Sequence, residues 1–367
     1  MVHRSGAELS ARLASRTLEL VGIPSVSRAE AALHEHVRQT ASQLGSFRCQ
    51  DVPGHGLLIE PKERSRKPFV VLAGHLDTVP EQANLPGRLD GDTLHGLGAS
   101  DMKGALAVML ELAEWLDREQ PRAGIDLGCL FFAREELPIS ESAVPAMFAA
   151  CPQLRDAELV VVMEPTDNAL QIGCLGNLNA ELVFHGKSAH SARPWQGDNA
   201  IHKAIARLQR LAANQPLPVD IGGLTYTEVL SLTKIEGGIA GNVIPDRVTC
   251  HLNYRYAPNR TPQEAEAELR AHTPDDVELR IIANAPPARA AVGNPLLDRL
   301  QKLGDLKREP KQAWTPVAEF SAEGLDAINF GPGMSRYAHQ RDEQVRIPDL
   351  VHSFELLRSF VLEGACS

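Results

Sequence analysis

No apolar run in this 367-residue chain reaches the roughly 18 residues that a membrane-crossing helix needs, so no transmembrane helix is expected. The N-terminal stretch is polar and lacks the apolar centre of an export signal, which sets the expectation of a cytoplasmic protein. Positive charge is in deficit: 37 Lys and Arg against 47 Asp and Glu leave a formal net charge of −10. Nucleic acid and anionic membrane surfaces are therefore poor partners. Cysteine is sparse, and Cys49, Cys129, Cys151, Cys174, Cys250 and Cys366 form no C-x-x-C pair; they read as reduced packing residues. The nucleophile motif G-x-S-x-G is missing, which disfavours a serine hydrolase. There is neither an internal repeat nor a low-complexity segment.

What is present is ordinary globular material, 43% apolar and 23% charged, long enough for two domains or one domain with an insertion. The chain is organised around Val71-Leu72-Ala73-Gly74-His75-Leu76-Asp77-Thr78-Val79-Pro80. Its apolar start lacks polar alternation, the pattern of a strand buried on both faces. In extended geometry His75 and Asp77 point the same way, at the carboxyl end where open α/β sheets bind ligands. A histidine beside a carboxylate is a good metal ligand, because the carboxylate fixes the ring tautomer. A solvated turn is the plain alternative at this stage.

Ser5 and Glu8 have capping-box spacing ahead of a first helix that stops at Gly22-Ile23-Pro24, and a second helix is expected over 28–44. That helix carries His34-Glu35-His36, which misses the zinc-protease pattern H-E-x-x-H because Arg38 occupies the second histidine position; a helix surface is the better reading. Asp90-Gly91 signals a hairpin, and the glycine cluster over 96–104 lacks the spacing of a dinucleotide loop. Further buried strands are expected over 125–133, ending in Glu135-Glu136, and over 159–163, ending in Glu164-Pro165-Thr166. Apolar strands that alternate with helices and each deliver acids or a histidine at one end describe a parallel sheet with one active edge.

From about residue 177 the pattern changes to strand, helix, strand, strand, helix, strand, the ferredoxin-like order, and Ala285-Pro286-Pro287 reads as the return linker. The expected fold is thus α/β, with a mainly parallel mixed sheet flanked by helices over 1–176 and 286–367 and an inserted βαββαβ domain over 177–285. His75, Asp77, Asp101, Glu135, Glu136, Glu164 and His339 form a nitrogen and oxygen donor set without thiolate, suited to zinc, cobalt or manganese. A pair of divalent ions would be balanced electrically by Asp101, Glu136, Glu164 and one hydroxide. Glu135 is then spare to take a proton.

The segments His75-Leu76-Asp77, 98–104, Glu135-Glu136, Glu164-Pro165-Thr166 and Ala338-His339 resemble, in order and over nearly the whole chain, the motifs of the dinuclear zinc aminoacylase and carboxypeptidase superfamily. The likeness is strongest to its succinyl-diaminopimelate desuccinylase group, through Gly173-Cys174-Leu175-Gly176-Asn177, Ala189-His190-Ser191-Ala192-Arg193, Gly197-Asp198-Asn199-Ala200, Asn242-Val243-Ile244-Pro245-Asp246 and Asn253-Tyr254-Arg255. The resemblance implies a zinc-peptidase-like catalytic domain and a dimerisation or lid domain that makes a homodimer. It implies two divalent ions, zinc foremost: His75, Asp101 and Glu164 at one, and Asp101, Glu136 and His339 at the other, with Asp101 bridging. Asp77 would orient His75, and Glu135 would serve as general base and then acid. His190 would reach a neighbouring subunit's site and stabilise an oxyanion, and Asn242, Arg255 and Arg193 would contact substrate.

The implied substrate is a small N-acyl amino acid, foremost N-succinyl-L,L-diaminopimelate, cleaved to succinate and diaminopimelate for lysine and cell-wall precursors. Other acyl amino acids of the acetylornithine type, or dipeptides, are the alternatives. A non-catalytic binding protein on the same fold is more remote, since the ligand set and Glu135 are intact. One segment departs from the pattern: where the family reads T-D-V-A-R-F, this chain has Thr315-Pro316-Val317-Ala318-Glu319-Phe320. Glu319 in place of an arginine is expected to disfavour an anionic group nearby, leaving Arg193, Arg336 and Arg341 as cations to consider; a structural place just outside the pocket is the alternative for Pro316 and Glu319.

Overall fold

A computed structural model describes residues 2–65 and 67–363; the expected Ser5 side-chain cap and Cys366 lie outside the described residues. The chain forms two compact units. The first comprises Met1–Ile172, Ala291–Glu309 and Glu319–Ser367; the second comprises Gly173–Ala290 and Pro310–Ala318.

In chain order the first unit opens with α1 (Val2–Val21), α2 (Ala31–Ser42), β1 (Phe47–Val52), β2 (Gly56–Pro61), β3 (Phe69–His75), β4 (Arg88–Asp90) and β5 (Thr93–His95). It continues with α3 (Gly104–Glu119), β6 (Asp126–Phe132), α4 (Val144–Ala150), β7 (Leu159–Val162) and β8 (Leu170–Ile172). The second unit supplies β9 (Gly176–His185), β10 (Ala189–His190), α5 (Ala200–Ala212), β11 (Leu217–Ile221), β12 (Leu224–Gly237), β13 (Val243–Ile244), β14 (Arg247–Tyr256), α6 (Pro262–Ala271) and β15 (Glu278–Ala285). The return brings α7 (Pro295–Gly304), β16 (Arg308–Pro310), α8 (Val317–Ala322), β17 (Ala327–Asn329), β18 (Gln344–Arg346) and α9 (Ile347–Leu362).

The large sheet has the order β1-β2-β6-β3-β7-β17-β8-β16. Its middle is parallel: β3 pairs with β6 and β7, and β17 pairs with β7, all in the same sense. Antiparallel β1, β2 and β8 flank that middle. Every residue of β3, β6 and β7 is buried, which is why these segments read as unbroken apolar runs. Burial of Val70, Val71 and Leu72 contributes about 1.5–3 kcal/mol each. Helix α3 packs on β3 and β6 and against α1 and α9.

The expected second helix begins three residues late, because Arg28 sits in the left-handed region (φ 72°) with its amide donating to Glu30 Oε1. Its near-miss zinc motif is indeed surface: His34 Nε2 lies 2.7 Å from Asp51.

In the second unit an all-antiparallel sheet has the order β11-β12-β14-β9-β15. Alternate residues of β9 (Leu178, Ala180, Leu182, Phe184) and of β14 (Val248, Cys250, Leu252, Tyr254) form one core with Ala204 and Leu208 of α5 and Ala265 and Leu269 of α6. Helix α6 starts with the Thr261–Glu264 capping box. Strand β11 was not expected from the sequence. It closes a hairpin with β12 through Gly222 and Gly223, both at positive φ (58° and 80°), a two-residue turn whose Gly-Gly signature was available to reading.

Candidate metal centre

Adjacent parallel strands β6, β3 and β7 bring three stretches to one sheet edge: Glu135-Glu136, His75 to Asp77, and Glu164. Asp101 comes from the turn Ala99–Lys103, whose backbone leaves helical geometry at that residue (φ −125°, ψ 87°) just before α3. His339 comes from the loop between β17 and β18 and sits in the left-handed region (φ 60°), where a non-glycine residue costs roughly 1–2 kcal/mol.

The donor atoms converge. One oxygen each from Asp101 and Glu136 and a ring nitrogen of His75 all lie within 4.8 Å of one another. Asp101 faces two ways: Oδ1 is 3.0 Å from His75 Nε2, and Oδ2 is 3.6 Å from His339 Nε2. His75 Nε2 also lies 4.0 Å from Glu164 Oε1, while His339 Nε2 lies 3.0 Å from Glu136.

The ring nitrogens test whether a cation fits. His75 Nδ1 is 3.0 Å from the backbone carbonyl of Asp77, which can only accept, so Nδ1 carries the proton. In the neutral ring Nε2 is then a bare lone pair facing a carboxylate oxygen 3.0 Å away, a contact that calls for a positive species between them. Although burial alone would lower it, the pKa of His75 is held well above its ordinary value by Asp101, Glu135 and Asp77. His339 is likewise pushed up to about 9, first by its bond to Glu136 and then by the charges of Glu136 and Asp101. The nitrogen and oxygen donors, crowded carboxylates and deprotonated Nε2 fit a hard-to-borderline divalent ion.

Asp77 was expected to orient His75 through its carboxylate. The shorter contact to the ring is from the Asp77 backbone carbonyl at 3.0 Å, and the carboxylate pairs with the same Nδ1 at 3.6 Å. The carboxylate also accepts the Ser27 hydroxyl at 2.8 Å and the backbone amides of Glu135 and Glu136 at 2.9 and 3.0 Å. Asp77 therefore holds the turn that aims both glutamates, a turn made possible by Arg134 at φ 61°. Glu135 is half-buried, and its carboxyl is pushed well above the usual range by burial and by Glu164, Glu136 and Asp101 around it, against the pull of His75.

Sequence reasoning missed Glu343, a buried acid four residues beyond His339 that accepts amides from the Asp101 loop. Its only sequence signal was an acid close to a ligand histidine.

His190, Arg193, Asn242 and Arg255 lie in the second unit. Strand β10 pairs His190 with Val243 of β13, and the Ser191 amide donates to the Asn242 carbonyl. The Ala192 amide donates to His190 Nδ1 at 3.0 Å, so the exposed ring presents Nε2–H outward. Arg193 is exposed. Arg255 Nε donates to Asn253 Oδ1 at 2.9 Å, not to a carboxylate. In the first unit Arg341 donates to the Gln82 carbonyl, and Arg336 stacks over Tyr337.

Glu319 does not act as an open negative charge. It is buried in α8 and accepts a hydrogen bond from Ser142 Oγ at 2.9 Å, and burial pushes its carboxyl up to about 7 from 4.5. Between those values the unfolded chain has released this proton and the folded chain has kept it, so the group subtracts stability as pH rises through the interval. Glu319→Gln is expected to raise the melting temperature at pH 8 relative to the unaltered protein and to change it little at pH 4.5. Equal shifts at both pH values would show that Glu319 is not held protonated.

Candidate metal donors collected where parallel strands end, without a thiolate among them, describe the class of α/β proteins with an oxygen- and nitrogen-rich metal site. Within that class, residues 71–363 match Peptidase family M20/M25/M40, and the chain belongs to that family. A Mycobacterium tuberculosis protein named for succinyl-diaminopimelate desuccinylase is 37% identical over 350 residues, covering 94% of this chain and 96% of the relative. The succinyl-diaminopimelate desuccinylase of Corynebacterium glutamicum is 34% identical over 352 residues, covering 95% of each. Among solved structures, a tripeptidase from Staphylococcus aureus superposes with a TM-score of 0.82 at 18% identity, covering 98% of this chain and 99% of that one. The aminopeptidase PepT of Bacillus cereus gives 0.79, also at 18% identity and with the same coverage.

Proposed function

We propose that this chain is a metal-dependent amidohydrolase that converts N-succinyl-L,L-diaminopimelate to succinate and L,L-diaminopimelate, a step towards lysine and peptidoglycan precursors. The observation that carries the reading is Asp101, whose two oxygens face two separate histidines while Glu135 stays outside both pairs. The names of the relatives at 34–37% identity support the succinyl substrate.

His75, Asp101 and Glu164 would hold one divalent ion, and Asp101, Glu136 and His339 a second, with zinc favoured and cobalt or manganese as alternatives. Such ions, when bound, acidify water and polarise an amide carbonyl. Glu135 takes the proton from the attacking water and delivers it to the departing amine nitrogen as the C–N bond breaks. Asp77 keeps Glu135 and Glu136 aimed by holding their amides. His190 donates from Nε2 to the oxygen on which negative charge develops, and Asn242, Arg193 and Arg255 receive the substrate's carbonyl and carboxylates.

The protein works in the cytoplasm as a homodimer through a ferredoxin-like insertion over 177–285, which lies within the second unit. Among the described residues no helix is long and apolar enough to cross a membrane. Beyond Glu228 the outer edge of β12 has no partner among the described strands, and Ile235 there is 58% exposed; Ile205 on α5 is 61% exposed. Open edges and exposed apolar side chains of this kind suit association with a second copy.

A hydrolysis screen of zinc-loaded protein over succinyl, acetyl and dipeptide substrates tests the assignment. Succinyl-diaminopimelate is expected to give the highest kcat/KM. A preference for acetyl amino acids or dipeptides would overturn the substrate while leaving the hydrolytic centre standing.

A further inference from the structure

Glu343 lies four residues beyond His339 and is only 2% exposed, yet it has no place in the donor set. Its carboxylate collects backbone amides: Gly98 donates to Oε2 at 2.9 Å, and Ser100 and Asp101 donate to Oε1 at 3.0 and 2.9 Å. Its own carbonyl accepts the Gly96 amide at 3.0 Å. The turn is shaped for this. Gly98 adopts φ 78°, and a Cβ there would come within 2.9 Å of Thr78 Cγ2. Ser100 Oγ adds a further link, bonding the amide and carbonyl of Met334 in the segment that leads to His339. Lys103, buried and anchored to the Ile23 carbonyl at 2.7 Å, is close enough to interact electrostatically with Glu343.

Two loops far apart in sequence, one carrying Asp101 and the other His339, are thus joined at one carboxylate. Three amides of one turn converge on this carboxyl group, and the last of them belongs to Asp101 itself. Asp101 must face His75 with one oxygen and His339 with the other, so a small rotation of its backbone would spoil both relations.

We propose that Glu343 is a positioning residue of the metal centre: it fixes the backbone of Asp101 and ties it to the His339 loop, so that both ion positions depend on it. The proposal rests on the metal-centre reading given above. A buried acid acting only as a loop staple would affect folding stability and leave ion affinity alone. A positioning residue must also change the ion's surroundings.

The test compares the unaltered protein with Glu343→Ala and Glu343→Gln, using Zn²⁺ affinity by chelator competition and the visible absorption of the Co²⁺-substituted protein. Outer partners of metal ligands typically contribute about 10–100-fold in affinity, and a loss in that range is expected for Glu343→Ala. Glu343→Gln keeps one oxygen for the Ser100 and Asp101 amides but turns an NH₂ towards Gly98, so its affinity should fall between the other two. The Co²⁺ spectra should follow the same order. If the alanine variant does not fold, the glutamine variant carries the test. Either variant, folded and binding Zn²⁺ with unaltered affinity and an unaltered Co²⁺ spectrum, overturns the positioning role. Failure of the unaltered protein to bind Zn²⁺ or Co²⁺ would instead remove the metal-centre reading, and this proposal with it.

Discussion

Replacing Glu135 with glutamine is expected to lower kcat by about 10²–10⁴-fold while leaving metal content and KM close to their unaltered values. Glutamine has nearly the same shape, and the backbone amide that holds this position to Asp77 is untouched. The ion pairs that define the donor groups run through His75, Asp101, Glu136 and His339, not through Glu135. What disappears is a proton acceptor whose affinity is already raised by burial and by the neighbouring carboxylates. Bound cations oppose that rise, because positive charge nearby favours the ionised, proton-accepting form. The check pairs steady-state kinetics with elemental analysis of the same preparation. Near-normal turnover at full metal content would remove Glu135 from the base role.

The parts of this site that were legible in the sequence are those whose chemistry is local to a strand end. An unbroken apolar run followed by an acid or a histidine is a short pattern, and it recurs at His75, at Glu135-Glu136 and at Glu164 because β3, β6 and β7 are neighbours in one parallel sheet. The M20/M25/M40 match begins at residue 71, the first residue of the stretch on which the sequence reading was built. What escaped was decided by backbone groups, which no side-chain pattern announces. Glu343 looks like any loop acid until the amides of Gly98, Ser100 and Asp101 are folded against it. Asp77 does more than its residue type announces: its carbonyl and carboxylate both face His75 Nδ1, and the carboxylate also holds the turn after the neighbouring strand. Glu319 has the residue type of an open charge, but it is buried and bonded to Ser142, and burial pushes its carboxyl up to about 7, which suits the structural reading. Arg28, Arg134 and His339 share positive φ, a conformation their side chains disfavour, and tertiary packing imposes it.

Replacing His190 with alanine is expected to lower kcat by roughly 10²–10³-fold, the usual cost of losing one oxyanion donor. Zinc stoichiometry should not change, because His190 lies in the second unit and all the proposed ion ligands lie in the first. The ring is prepared for donation before substrate arrives. The Ala192 amide occupies Nδ1, so the neutral tautomer places its proton on Nε2. Glutamine at this position would keep an N–H donor without the fixed tautomer, and should recover part of the lost rate. Whether the donor serves its own chain or its partner is decided by mixing the inactive His190→Ala and Glu135→Gln proteins. In a hybrid dimer with donors crossing between subunits, one site has an intact Glu135 from one chain and an intact His190 from the other. Random reassortment should then restore roughly a quarter of the unaltered activity. Donation within one chain predicts no recovery, because every site would still lack one of the two groups. An unchanged rate in His190→Ala alone would remove the oxyanion role altogether.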